Sequence, residues 1–334
     1  MTRTVVCRLL RALLTGLGLV VAATAQHAEA APEAPSFTFL AQPPKGLPKM
    51  PAPVGYTPTE PMFELGRRLF TDGILSSDRT VSCASCHPAV TGFASPEPRP
   101  AGVQGKRALR HAPALWNRGY GTAQRWDGSS PSLEAFVLEP IADQNEMNLP
   151  LAQALERLRT DTEYLRQFEM AFGGPPSAEH LQRSLATFVR GIVAGDAPYD
   201  RFLRGDTEAL TKAQRTGQWI FESKGGCWQC HTPPLFTDDG FHNTGVSLRD
   251  GKPEPAHAAV TKNESDTGQW KTPTLRGLRL TAPYMHDGSL ATLADVVAFY
   301  ARGGNGNAHL DTRVRLLTLS AEDQLALVAF LMSL

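Results

Sequence analysis

The sequence predicts a mostly α-helical fold with long irregular loops, built from two similar helical units. Apolar residues recur at helical spacing in several stretches beyond residue 60, and alternating runs that would make strands are scarce. Polar residues suited to capping stand just ahead of those stretches. A loose internal repeat adds a third observation. "LGRRLF…CASCHPAVTGF" is echoed by "TGQWIF…CWQCHTPPLFTDDGF", in each case a helix ending in an aromatic, then Cys-x-x-Cys-His, then Phe.

Taken in order, the chain of 334 residues opens with "MTRTVVCRLLRALLTGLGLVVAATAQ". Arg3, Arg8 and Arg11 precede an apolar run from Leu13 to Ala23, and small residues follow at Ala23–Ala25 and Ala28–Ala30. A basic head, an apolar middle and an A-x-A exit describe a secretory signal, so residues 1–30 are expected to be removed on export to the periplasm. The run is too short to cross a bilayer, which needs roughly twenty residues. No membrane span is therefore expected in the mature chain. Residues 31–57 are Pro-rich and without helical period, an extended segment that either tethers the core or wraps over it.

Helical signals then take over. "TEPMFELGRRLF" places Pro61 near a helix start and Met62, Phe63, Leu65, Leu69 and Phe70 on one stripe. "SAEHLQRSLATFVRGIV" has Ser177 as its N-cap. "TLADVVAFY" and "SAEDQLALVAFLMSL" pair Thr292 with Asp295 and Ser320 with Asp323, capping-box starts with Asp in place of the stronger Glu. The repeat divides the mature chain into units at 58–200 and 201–334, with the junction in "AGDAPYDRFLRGD". The 33 basic and 33 acidic side chains balance, so nothing suggests nucleic acid or an anionic membrane surface as a partner.

Of five cysteines, Cys7 leaves with the signal, and Cys83, Cys86, Cys227 and Cys230 form two pairs closed by His87 and His231. A zinc site joins two close pairs, typically about fifteen to twenty residues apart, and these are much farther apart. A disulfide suits an oxidising compartment but leaves both histidines unexplained. Covalent c-type haem attachment uses every residue of the motif. The two thiols meet the vinyl groups and the adjacent imidazole reaches iron.

The stretches "LGRRLFTDGILSSDRTVSCASCHPAVTGF", "RHAPALWN", "RWDGSSPSLEAFVLEPIADQNEM", "CWQCHTPPLFTDDGFHNTGV" and "KTPTLRGLRLTAPYMHDGSLATLADVVAFYARGG" come in an order that resembles the bacterial dihaem cytochrome c peroxidase and MauG superfamily. The resemblance covers nearly the whole mature chain. It implies two cytochrome-c-like haem domains, a peroxide site on the N-terminal haem, an electron-transfer haem in the C-terminal domain and a calcium ion between them. His87 and His231 would be the proximal iron ligands. Trp126 would relay electrons or holes between the haems, Glu146 would be the distal acid, and Pro140 would line the same pocket. A carboxylate above an open iron can move a proton from one peroxide oxygen to the other. Tyr300, fourteen residues past the His of H-D-G, matches the sixth ligand of the C-terminal haem, with Met285 as the alternative. The carbonyls of Thr281 and Pro283 match calcium ligands. Two positions depart from the pattern: Phe136 stands where a glutamine is usual, and His111 where a calcium-binding asparagine is expected. Imidazole suits a hard cation poorly.

Three functions follow from the resemblance. A MauG-like enzyme, with MbnH among its relatives, would use hydrogen peroxide to oxidise a residue, usually Trp, of a small secreted partner. A cytochrome c peroxidase would reduce peroxide to water with electrons from a small cytochrome or cupredoxin. A dihaem electron carrier would do neither. His111 is the one histidine in the loop after the first motif, and it fills the calcium slot. No residue is left to block the first iron, which favours the MauG-like branch.

Overall fold

A computed structural model describes residues 34–246 and 248–334. The expected signal at 1–30 lies outside the described residues. The helices are α1 (Glu60–Thr71), α2 (Cys83–Cys86), α3 (Leu133–Phe136), α4 (Glu139–Ala142), α5 (Leu151–Thr160), α6 (Thr162–Phe172), α7 (Ala178–Arg190), α8 (Pro198–Leu203), α9 (Lys212–Glu222), α10 (Ala258–Thr261), α11 (Leu293–Ala301) and α12 (Ala321–Leu331). Two short antiparallel strands, β1 (Phe241–His242) and β2 (Trp270–Lys271), pair Phe241 with Lys271 and His242 with Trp270. Among the described residues no helix is long and apolar enough to cross a membrane.

The helix starts follow their caps. Thr59 caps α1, with Pro61 in the first turn and Met62, Phe63, Leu65, Leu69 and Phe70 buried along one face. Ser177 Oγ accepts from the His180 amide at the start of α7 (3.1 Å). At α11 and α12 the capping boxes close in both directions. Thr292 and Ser320 accept from the Asp295 and Asp323 amides, and those carboxylates accept from the cap amides in return. Asp closes both boxes here, at 3.0 and 2.9 Å.

Two hydrophobic clusters form. One runs from Phe63 to Ala194, and the other begins at Tyr199 and ends at Leu334. Each is centred on the crossing of the helix before a Cys pair with the last helix of its unit, α1 on α7 and α9 on α12. The crossings explain the glycines of the repeat. A Cβ on Gly66 would lie 2.0 Å from the Ser184 carbonyl oxygen, and one on Gly217 would lie 2.0 Å from that of Ala326. Only glycine lets the two backbones come so close.

The Pro-rich segment wraps the first cluster. Ser36 N–H donates to the Gly191 carbonyl (3.1 Å), Tyr120 Oη–H donates to that of Pro48 (2.9 Å), and Met50 is buried. In the second cluster Arg276 and Asp200 form a buried bidentate pair (2.5 and 2.8 Å). Arg276 also donates to the Pro234 carbonyl (2.8 Å). That pair fixes the loop following His231.

Candidate functional site

The first motif folds as a single helical turn. In α2 the Ser82 amide donates to Ser85 Oγ (3.0 Å), and His87 N–H closes the turn on the Cys83 carbonyl (2.9 Å). Cys83 and Cys86 thus share one side of a turn with His87 just past it. His87 Nδ1 lies 2.8 Å from the Phe93 carbonyl. A carbonyl only accepts, so Nδ1 carries the proton. Burial pushes the imidazole down to about 4, so it stays neutral and Nε2 keeps its lone pair for a metal. Phe93 holds a left-handed φ of 57° to aim its carbonyl at the ring.

The second motif repeats the device. His231 N–H donates to the Cys227 carbonyl (2.9 Å), and Nδ1–H donates to the Phe236 carbonyl (3.1 Å). Phe236 has φ 54°, and burial again lowers the imidazole. The Phe that follows each motif therefore supplies a carbonyl to orient the histidine, while its ring anchors the core. Phe93 packs on Trp116 (5.2 Å) and Phe236 on Tyr199 (5.1 Å).

Among the described residues, Cys83, Cys86, Cys227 and Cys230 form no disulfide. Burial pushes Cys83 up to about 12 and Cys86 up to about 11, the latter also raised by the Glu146 carboxylate. Half-buried thiols on one turn beside an imidazole with a free Nε2 fit thioether attachment of a haem. Cys230, Asp238 and His242 bring possible metal-binding atoms within 4.8 Å of one another. Both ring nitrogens of His242 are already engaged, however, by Asp238 and Asp311 (2.9 Å each).

Glu146 is half-buried on the loop after α4. Its backbone carbonyl accepts from Val103 (2.8 Å), and Met147 N–H donates to the Pro140 carbonyl (3.2 Å). Burial, then Asp143, raises its carboxyl to about 7, against the opposing pull of Arg125. A carboxyl at that value exists in both protonation states near neutrality, which suits proton transfer. Phe136 brings no polar group here, and its ring carries a cation. The Arg125 guanidinium lies over the Phe136 ring (5.5 Å) and pairs with Glu139 (2.5 Å), so a cation faces the same acidic group.

Trp126 is tied to its surroundings at both ends. Its Nε1–H donates to the His111 carbonyl (2.8 Å), and its own carbonyl accepts from Lys271 N–H (2.8 Å). His111 is buried, and its Nε2 is bonded to the Ser95 carbonyl (2.9 Å). With that nitrogen committed and no side-chain oxygen to offer, the His111 side chain does not fit a calcium ligand. Thr281 is buried, and its methyl lies against Gly92, where a Cβ would sit 2.8 Å away. Pro283 follows in the same loop. Met285, at φ 74°, sits there too, one residue before His286. Tyr300 lies on α11, apart from that loop. Burial pushes its phenol up to about 12, with the Cys230 and Cys227 sulfurs adding to the rise and a Thr244 hydrogen bond opposing it. The phenol therefore lies near the second Cys pair.

Three residues escaped the sequence reading: Arg125, His286 and Trp270. His286 is buried, with Nε2 unpartnered, and its ring stacks on Trp270 (3.9 Å) and meets Trp126 edge-on (6.4 Å). The one signal for Arg125 was its place beside Trp126.

The family model described as di-haem cytochrome c peroxidase matches residues 60–208. The chain is 37% identical over 289 residues to the methylamine utilization protein MauG of Methylorubrum extorquens AM1, covering 85% of this chain and 81% of that one. It is 35% identical over 301 residues to the cytochrome-c peroxidase IdrP2 of Denitromonas iodatirespirans, covering 82% and 81%. Among solved structures, a MauG-like protein associated with microbial copper homeostasis superposes with a TM-score of 0.81 at 32% identity, covering 87% of this chain and 94% of that one.

Proposed function

The chain belongs to the dihaem cytochrome c peroxidase and MauG family, and on that premise we propose that it uses hydrogen peroxide to oxidise a residue, a tryptophan, of a small partner protein in the periplasm. Membership makes it a haem peroxidase-type oxidoreductase with two c-type haems. Cys83 and Cys86 would hold one haem with His87 on its iron, and Cys227 and Cys230 the other with His231. The half-buried thiols and the imidazoles, each held through Nδ1 with Nε2 free, support that assignment. When bound, a haem with an open iron position supplies the redox chemistry that splits the peroxide O–O bond.

The chain's own residues manage the protons and the electrons. Glu146 takes the proton from one peroxide oxygen and returns it to the other, so that water leaves and not hydroxide. Arg125 offsets part of the burial that would otherwise keep Glu146 protonated. Trp126, held by His111 and Lys271, passes electrons inward from the partner. Two electrons and two protons convert one peroxide to two waters. Thr281, Pro283 and His111 take no part in a step, and no calcium is invoked.

The observation that carries the MauG-like reading is Tyr300, a half-buried phenol near enough to the second Cys pair for its sulfurs to push it up. An oxygen ligand is hard and favours the oxidised metal, whereas the thioether of Met285 is soft and favours the reduced one. The pinning of His111 supports the same reading, since a histidine held on Ser95 is not free to block the first iron. The test is to add peroxide to the ferric protein as isolated, without prior reduction. Immediate reaction is expected. A requirement for prior reduction would favour the electron-fed peroxidase.

A further inference from the structure

A second tryptophan is built onto the first. Trp270 stacks on His286 with ring centroids 3.9 Å apart and planes 18° apart, and His286 meets Trp126 at 6.4 Å. The three rings are locked together through their backbones. Lys271 N–H donates to the Trp126 carbonyl (2.8 Å), His111 N–H donates to that of His286 (2.9 Å), and Trp126 Nε1–H donates to that of His111 (2.8 Å). His257 adds a further tie, bonding the Asp127 carbonyl through Nδ1 (2.8 Å) and the Gln269 carbonyl through its amide (3.1 Å). The outer face of Trp270 is covered by the Arg110 guanidinium at 4.9 Å, which pairs with Glu254. Arg249 joins the same carboxylate (3.5 Å) and is largely exposed. The stack thus runs from the half-buried Trp126 through the buried His286 and Trp270 to the Arg110–Glu254 pair, with the exposed Arg249 at its edge.

We propose that Trp270 is the outer station of the electron path, so that electrons from the partner enter at Trp270 and reach Trp126 across the His286 ring. The path deepens the peroxide-dependent reading and rests on it. At each hop one electron moves and no bond is made or broken. Trp126 is refilled from Trp270, and Trp270 from the partner's residue. Two such transfers with two protons reduce one hydrogen peroxide to two waters. Without a partner, the stored equivalents decay slowly, over longer than minutes, and Trp270 itself becomes the donor. It loses two electrons, takes up the oxygen of one water and releases two protons, so the balance is tryptophan plus peroxide giving hydroxytryptophan plus water.

The holoprotein is therefore mixed with peroxide and no partner, digested, and mapped by mass. Oxygen gain is expected at Trp270, which is only 9% exposed, ahead of Trp219 and Trp228, which are 59% and 46% exposed. Unguided oxidation from solution would give the reverse order. In Trp126→Phe, with haem content checked as a control of folding, the gain at Trp270 should be lost. Oxidation of Trp219 or Trp228 with Trp270 untouched, or a gain at Trp270 that survives Trp126→Phe, overturns the path. If the Trp126 variant does not fold, the order of modification in the wild type decides alone. A wild type that consumes no peroxide overturns both the path and the reading beneath it, whereas one that consumes peroxide and spares Trp270 overturns the path only.

Discussion

Replacing Glu146 with Gln removes the one group that can shuttle the peroxide proton while leaving shape and burial nearly unchanged. General acid–base assistance is worth about 10²- to 10⁴-fold, or roughly 3 to 5 kcal/mol of barrier. The wild type should also carry a pH signature. With the carboxyl raised to about 7 by burial and by Asp143, the carboxylate form declines as pH falls below neutrality. The second-order rate with peroxide should fall about tenfold per unit between pH 6 and 5 and level off above about 8. The neighbours give the sign. Arg125 favours the carboxylate, so Arg125→Gln should move the limb to higher pH, and Asp143→Asn should move it lower. Stopped-flow absorbance across pH 5 to 9 on protein of verified haem content measures all four. A Glu146→Gln variant with the wild-type rate, or one that keeps the same limb, would refute the proton role.

Tyr300→Phe removes only the phenol oxygen, so the ferric spectrum should change and partner oxidation should be lost while both haems stay attached. An unaltered spectrum would transfer the ligand role to Met285. Gly217→Ala drives a methyl to 2.0 Å from the Ala326 carbonyl oxygen, so α9 and α12 must separate. Overpacking of this kind costs about 1–3 kcal/mol, visible as a lower Tm, and an unchanged Tm would mean that the crossing is loose. Because His111 is spent on Ser95, a calcium chelator should leave the ferric spectrum and the peroxide reaction as they were. Loss of activity restored by added calcium would contradict this.

Local signals were the most legible part of this chain. The caps at Ser177, Thr292 and Ser320 were readable because a cap bonds amides two or three residues away. The attachment motifs were readable for the same reason, since one helical turn sets their geometry. The glycines of the repeat stood in plain view in "LGRRLF" and "TGQWIF". Their reason lies in carbonyls more than a hundred residues downstream, which no local pattern reports. The Asp200–Arg276 pair and the stack of Trp126, His286 and Trp270 are hidden for the same cause. Phe136 read as a lost polar group, yet Arg125 restores charge from a residue eleven positions earlier, because its φ of 63° turns the chain there.

The central claim is that the chain stores the oxidising power of peroxide for delivery to a protein partner. One equivalent of peroxide added to the ferric protein without any donor tests it most directly, with the retained oxidising equivalents titrated by a mild reductant over time. Equivalents that persist for minutes in the wild type and vanish at once in Tyr300→Phe are the result this account predicts. Equivalents that disappear within the mixing time in both proteins, with rapid turnover once a reduced cytochrome is supplied, would contradict it.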